Sequence, residues 1–298
     1  MDAVVAIGHQ LREDDFAMAR AVPGIDLVLG SHSHYRGGLQ PIPGTSTWFI
    51  SPYQYLAYVS RVRLTFAGGR LTSVTGDLLA MDETRPEDPA VASRVSGLQE
   101  QLRAHRPERF EVLGRAAVEL SDASVSTGES VIGNWATEVL RRAAGARVFF
   151  STASSFRAGI PPGEVTVESF YAAIPYPNRI VTAEMTGRQL ADLVALITAK
   201  AGTDGFSQQS GLRCTLLDLR IIKDARDPAK GDEPVLPEAV YTVATTDFMA
   251  YVAGAYKELF AAARSLRKTD LDAHAALVAA LAAGPVTARL DGRWRPLP

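Results

Sequence analysis

The sequence is almost without cysteine. Cys214 is the only one among 298 residues, so no internal disulfide can close and a cysteine-rich zinc site is excluded. It also lacks an excess of charge of either sign. Lys and Arg number 31 against 33 Asp and Glu, a formal net charge of −2, which removes the basic footprint of a protein that binds nucleic acid polymers or anionic lipid. No stretch reaches the roughly 18 uninterrupted apolar residues of a membrane span. The opening Met1-Asp2-Ala3-Val4-Val5-Ala6-Ile7-Gly8-His9 has neither the basic start nor the long apolar run of a signal peptide. There is no internal repeat, and the single biased tract is Ala-rich, near 275–283.

What is present is enough for two domains: 298 residues at 47% hydrophobic content exceed the usual size of one core. The first residues read as a strand buried in the middle of an α/β sheet, with no lead-in, and predict that part of this domain lies upstream. A β-branched run over 3–7 ends at Gly8-His9, a helical pattern follows over 13–21, and Pro23-Gly24 closes it. A second apolar run, Ile25-Asp26-Leu27-Val28-Leu29-Gly30, leads into Ser31-His32-Ser33-His34. Further strands are expected at 47–50, 58–66 and 71–79, with Gly68-Gly69 turning a hairpin. The charged segment 82–111, with a helical pattern between its prolines, reads as a linker helix.

A new unit begins at 112. The pattern predicts a strand over 112–120 and an amphipathic helix over 130–143, buried along Val131, Trp135, Val139 and Leu140. Next come a strand at 148–150, a polar loop over 151–163, a helix at 167–173, a strand at 180–185 and a helix at 187–200. Strands at 212–222 and 241–245 and a helix over 250–263 complete the reading. His105 and His274 have no ligand-like neighbours in sequence and read as solvated, and Cys214 reads as a small core residue. Asp122, Glu129 and Asp247 are acids whose roles the sequence does not fix.

Three of the five histidines, His9, His32 and His34, fall at the C-terminal ends of two predicted parallel strands, where α/β sheets place their sites. Taken singly, each is a polar strand-end residue. Together they point to a metal, since imidazole binds zinc, manganese or iron at neutral pH and an extended His-x-His segment can turn both rings to one centre. Gly8-His9, followed by Gly-Ile-Asp-Leu-Val-Leu-Gly-Ser-His-Ser-His over 24–34, resembles the latter half of a calcineurin-like metallophosphoesterase domain. Ser31 stands where that family has glycine. The resemblance implies that His9 and His32 bind one ion of a dinuclear centre and His34 the other. The family's upstream ligands are not in this chain.

The later unit resembles the C-terminal domain of the bacterial 5′-nucleotidases. The likeness is carried in order by Glu129-Ser130-Val131-Ile132-Gly133-Asn134, Ser154-Ser155-Phe156-Arg157-Ala158-Gly159-Ile160-Pro161-Pro162-Gly163, Ile174-Pro175-Tyr176-Pro177-Asn178, Gln209-Ser210-Gly211-Leu212-Arg213 and 241–248, ending in Asp247-Phe248. It implies that Arg157 orients a phosphoester and that Tyr176 and Phe248 stack on a nucleobase. Two departures weaken a nucleotide site: Thr152 replaces the family's Asn, and Val252-Ala253-Gly254-Ala255-Tyr256 replaces a segment carrying an aspartate. Losing a buried acceptor costs about 1–3 kcal/mol.

The fold expected is therefore α/β (α+β). It comprises a partial metallophosphoesterase domain over 1–81, a linker helix over 82–111, and a 5′-nucleotidase-type substrate-binding domain over 112–298. The function implied is metal-dependent hydrolysis of nucleotide phosphoesters with divalent ions such as zinc or manganese, by a chain that lacks the upstream ligands and is inactive alone. The resemblance also implies a nucleotide or related small phosphoester as partner and a periplasmic or secreted location. Two alternatives stay open: a non-catalytic nucleotide-binding protein that has lost the metal centre, and a hydrolase of sulfur-linked esters.

Overall fold

A computed structural model describes residues 3–215, 218–223 and 231–294. The chain divides into two compact units, Met1–Gly97 and Leu98–Pro298.

In the first unit, β1 (Val5–Ile7), α1 (Arg12–Ala21) and β2 (Leu27–Leu29) form the expected strand–helix–strand. β3 (Arg36–Pro41) and β4 (Trp48–Pro52) complete a sheet ordered β1-β2-β4-β3, parallel except for β3. Its core is small: Ala19, Ile25, Val28, Ile42 and Phe49, with Phe16 set edge-on to Phe49 at 5.2 Å. β5 (Tyr58–Ala67) and β6 (Arg70–Ala80) make the hairpin. Gly68 and Gly69 both take positive φ there, as a tight two-residue turn requires. α2 (Pro89–His105) follows, none of its residues buried. Asp88 caps its start by accepting from the amides of Ala90 and Val91, and His105 is exposed.

The division at 97/98 falls within α2, and after it the second unit continues with β7 (Val112–Ala116), α3 (Val131–Ala143), β8 (Val148–Thr152), β9 (Gly163–Thr166) and α4 (Val167–Ala173). β10 (Arg179–Thr186), α5 (Gly187–Thr198), β11 (Ser207–Ser210), β12 (Leu212–Cys214), β13 (Leu219–Ile222) and β14 (Asp232–Pro234) come next. β15 (Val240–Thr246), α6 (Asp247–Tyr251), α7 (Gly254–Ala261), β16 (Arg264–Asp272) and α8 (Ala273–Ala282) complete it. The central sheet runs β11-β8-β15-β10-β16, with β8 and β15 parallel and the other pairs antiparallel.

Both faces of this sheet are covered, which is why β8 is buried along its whole length and begins with Val148-Phe149-Phe150. Successive side chains of a strand point to opposite faces. Phe149 accordingly packs with Ile132, Trp135, Leu140 and Phe170, while Phe150 packs with Leu190, Leu193, Phe206 and Phe260. Each fully buried aromatic of this kind contributes about 1.5–3 kcal/mol over an exposed one. The helices start at side-chain caps: Ser130 for α3, Thr166 for α4, Thr186 for α5, Thr246 for α6 and Asp272 for α8 each accept from an amide of the first turn.

Several expectations need correction. The strand read over 212–222 is a hairpin of β12 and β13, pairing Leu212 with Ile221, and 216–217 lie outside the described residues. The helix read over 250–263 is two, α6 and α7, broken at Val252 and Ala253 before Gly254 takes a φ of 46°. β7 stops at Ala116, and Leu120 makes only an isolated bridge to Ile160. In the loop read over 151–163, Ser151 and Thr152 end β8. His274 is not solvated: it is 5% exposed, its ring edge-on to Phe170 and Tyr171. Burial pushes its imidazole pKa down. The uniform Ala content of α8 hid an inward stripe of His274, Leu277 and Leu281. Cys214 is buried, and desolvation pushes its thiol pKa up.

Candidate functional site

Aromatic side chains in the second unit are mostly core. Phe149, Phe150, Phe170, Phe206 and Phe260 are fully buried. Tyr171, Tyr176, Phe248 and Tyr251 are the exceptions, 39–44% exposed, although leaving a large ring in water forfeits the burial its neighbours gain, and of these four only Tyr176 and Phe248 share a cavity. Both line one cavity of about 190 Å³, together with Ser154, Ser155, Arg157 and Asn178. Drug-sized ligand sites run to roughly 300–1,000 Å³, so this slot suits a single planar ring system. A shallower groove of about 560 Å³, over 144–146, 182–184 and 265–267, has no aromatic wall and no set of polar groups aimed at one point.

Each wall of the slot is built by local structure. Arg157 follows the turn that ends β8, and its amide donates to Ala173 O at the end of α4 (2.8 Å). Tyr176 lies just beyond α4, where the Asn178 amide donates back to Tyr176 O (2.9 Å). Phe248 is the second residue of α6, held by the Thr246 cap. Asp247 joins two of these segments. Its Oδ1 accepts from the amides of Arg179 and Phe248, at 3.1 Å each, and its Oδ2 from Lys268 Nζ at 2.6 Å. At Ser154 and Ser155, the side chains of Ser151 and Thr152 meet the two hydroxyls at 2.8–3.5 Å.

Arg157 does not stand as an isolated cation. Its Nε and Nη2 donate to Tyr176 Oη, at 3.3 and 3.1 Å, and its Nη1 donates to Asp204 Oδ2 at 3.2 Å. The guanidinium therefore fixes the tyrosine ring at one side of the slot. Asp204 was not singled out by sequence reasoning. The available signal was the Thr203-Asp204-Gly205 turn immediately before the Gln209-Ser210-Gly211 motif.

That motif turns out to be structural. Gln208, Gln209 and Ser210 are buried and spend their polar groups internally. Gln208 Oε1 accepts from Ser130 N and Oγ, and its Nε2 donates to Val125 O and Gly128 O. Gln209 bonds both backbone groups of Leu212 and Arg293 O. Ser210 donates to Glu138, which also pairs with Arg141 and Arg142 and lies 3.8 Å from Arg293. Glu129 accepts from Asn134 Nδ2 and from the amides of Asp291 and Gly292.

In the first unit the histidines separate. His32 Nδ1 lies 3.2 Å from His9 Nε2, with the ring centroids 4.8 Å apart. Two imidazole nitrogens on one tetrahedral zinc stand roughly 3.3 Å apart, given metal–nitrogen distances near 2.0–2.1 Å, so this pair matches one edge of such a shell. Ser31 selects the tautomer of His9. Its hydroxyl donates to Gly8 O at 2.8 Å and so accepts from His9 Nδ1 at 3.0 Å, leaving the Nε2 lone pair on the side of His32.

His34 does not join them. Its amide donates to Ser31 O at 2.9 Å and its φ is 49°, so the His-x-His segment is a turn and not the extended run that would present both rings together. Among the described residues no three His, Cys, Asp or Glu side chains gather as a metal-holding group. The donor set fits part of a coordination shell and no more.

Comparison with known proteins identifies the second unit. The family described as 5′-nucleotidase, C-terminal domain, matches residues 112–261. The chain is 24% identical to the trifunctional nucleotide phosphoesterase protein YfkN of Bacillus subtilis over 84% of its own length and 18% of that protein's. It is 23% identical to protein UshA of Yersinia enterocolitica over 87% of its own length and 54% of that protein's. It thus spans about half, or much less, of these relatives. In fold it is similar to a 5′-nucleotidase precursor from Thermus thermophilus, with a TM-score of 0.76 and 24% identity over 98% of this chain and 63% of that one. It is also similar to the sulfate thiohydrolase SoxB of Thermus thermophilus, with a TM-score of 0.69 and 20% identity over 97% and 54%. With the match covering half of its residues, the chain belongs to the 5′-nucleotidase C-terminal domain family.

Proposed function

We propose that residues 112–298 hold the base of a nucleotide between Tyr176 and Phe248, in a protein that hydrolyses nucleotide phosphoesters. The observation that carries this reading is the exposure of two aromatic rings on one cavity that is otherwise polar. Stacking on such platforms tolerates any base and is worth about 1–3 kcal/mol per base. The hydroxyls of Ser154 and Ser155 and the Asn178 amide supply hydrogen-bonding partners for the ring edge. Arg157 holds Tyr176 in position and presents a guanidinium beside it. The name of YfkN, a nucleotide phosphoesterase, agrees with this assignment.

His9 and His32 would hold a divalent ion, which when bound would polarise a phosphoryl oxygen. Ser31 keeps the His9 tautomer suited to that task. Two donors are too few for tight binding, so the chain alone is expected to release little or no phosphate. The same reading places the protein in the periplasm or outside the cell. A purely nucleotide-binding role is the second reading, since the base slot needs no metal to hold a ring.

The test is calorimetric titration of adenosine and uridine into the protein and into its Phe248→Ala and Tyr176→Ala variants. Each variant is expected to weaken binding roughly 10- to 100-fold, and no detectable nucleoside binding by the parent protein at millimolar concentration would dismiss the slot. Phosphate release from AMP, UMP and a 2′,3′-cyclic nucleotide, measured with manganese or zinc, separates the hydrolytic reading from the binding one.

A further inference from the structure

We propose that His274 is a positioning residue of the base slot: with its neighbour Ala273 it holds the two ends of the segment that carries Tyr176. That role rests on the reading that Tyr176 and Phe248 hold a base.

Packing alone does not explain a histidine in this place. The ring is 5% exposed and stands edge-on to Phe170 at 5.4 Å and to Tyr171 at 5.0 Å, and its side of α8 is otherwise Leu277 and Leu281. A leucine would suit such surroundings. Nε2, by contrast, is buried with no hydrogen-bond partner among the described residues, which costs free energy. What the imidazole has and a leucine lacks is its other nitrogen, which bonds the backbone of Ile174 at the end of α4. The Ile174 amide already donates to Phe170 O at 2.8 Å, so the group that meets the ring is the carbonyl, and Nδ1 carries the proton.

The preceding residue grips the other end of the same segment. Ala273 is the first residue of α8, so its amide has no partner inside the helix, and it donates to Asn178 O at 3.0 Å. Beyond that point the amide of Arg179 donates to Asp247 and its guanidinium to Asp270 O. Between the two grips lie Pro175, Tyr176 and Pro177. Neither proline has an N–H to give, and the bond from the Asn178 amide to Tyr176 O closes a turn within the segment. The first two residues of α8 therefore set where the Tyr176 backbone stands, and Arg157 sets the ring through Oη. Because Tyr176 and Asn178 both line the cavity, the hold on Ile174 reaches the slot.

The experiment is calorimetric titration of adenosine into the full chain for the parent, His274→Leu and His274→Asn, whose amide nitrogen falls close to the place of Nδ1, with His274→Leu repeated on a Tyr176→Ala background. His274→Leu should weaken binding at least about fivefold, part of the roughly 10- to 100-fold that loss of the Tyr176 ring would cost. His274→Asn should stay within about twofold of the parent, and on Tyr176→Ala the leucine should change affinity by less than about twofold. His274→Gln, whose nitrogen falls nearer Nε2, should behave as the leucine and serves in its place if that variant does not fold. Hydrogen exchange of the unliganded proteins reads the same hold without adenosine: the Asn178 amide should exchange faster in His274→Leu than in the parent, and at the parent's rate in His274→Asn. Unchanged adenosine affinity in His274→Leu, a loss of equal size on Tyr176→Ala, or a loss that asparagine does not restore overturns the proposal. Unchanged Asn178 exchange in His274→Leu overturns this role alone, whereas a parent that binds no adenosine overturns the base reading and this role with it.

Discussion

At the scale of single residues, the second unit depends on a buried charge. Glu138 is surrounded by Arg141, Arg142, Ser210 and Arg293. Burial alone would raise its pKa. Hydrogen bonds from Arg141 and Ser210, with the charges of Arg141 and Arg293, more than offset that and bring it down to about 2. A carboxyl that titrates lower in the folded than in the unfolded chain adds stability that is complete above its unfolded pKa of 4.5 and is lost as pH falls through its folded value near 2. Denaturant melts of the parent should therefore show stability declining from about pH 4.5 down toward pH 2. Glu138→Gln should remove most of this residue's share of the slope, on the order of 3 kcal/mol. At pH 7 the same variant should be less stable by about 3–5 kcal/mol, since its arginines are left without their carboxylate. Equal slopes in the two proteins over that window would refute the assignment.

At the scale of elements, what could be read from the sequence follows how each element is stabilised. α3, β8, β10, α5 and β15 are built on apolar periodicity, and periodicity is visible in one dimension. β11 is not: Ser207-Gln208-Gln209-Ser210 is entirely polar and entirely buried, stabilised by side-chain bonds to residues as far away in sequence as Ser130 and Arg293. β16 was missed because its charges read as solvent-facing, which an edge strand tolerates. β3, with two glycines and a terminal proline, carries no strand signal. At the site, Arg157, Tyr176 and Phe248 were marked by resemblance alone, since an aromatic at a helix start ordinarily reads as core. Asp204 carried no mark beyond its Thr203-Asp204-Gly205 turn, because its partner is 47 residues away in the chain.

The corner between β11 and β12 shows how narrow such constraints are. Gly211 has a φ of 97°, and a Cβ placed there would stand 2.1 Å from Arg147 O, a backbone atom that cannot step aside. Left-handed backbone costs an L-residue roughly 1–2 kcal/mol and overpacking a further 1–3 kcal/mol. Gly211→Ala should accordingly lower unfolding free energy by about 2–5 kcal/mol in urea melts. A loss below about 1 kcal/mol would mean that the corner is not held as described.

For the whole molecule, the distribution of buried residues decides which part can stand by itself. The two large apolar clusters, one on each face of the five-stranded sheet, draw all their members from residues beyond 112. Among the described residues the first unit has seven buried hydrophobics, five of them in one cluster, and leaves Val5, Ile7, Leu11 and Leu56 exposed. Every residue assigned to the base slot, and Asp204, which pairs with its Arg157, also belongs to the second unit. A chain of residues 98–298 should therefore fold cooperatively, melt within a few degrees of the corresponding transition of the full chain, and bind adenosine within about twofold of its affinity. A chain of residues 1–97 should show no cooperative melt, because a core that small cannot offset the entropy of ordering the backbone, about 1–2 kcal/mol per residue. Scanning calorimetry and adenosine titration on the two fragments check both halves. A fragment 98–298 that fails to fold would show that the boundary is wrong, and one that folds but does not bind would show that the slot needs residues before 98.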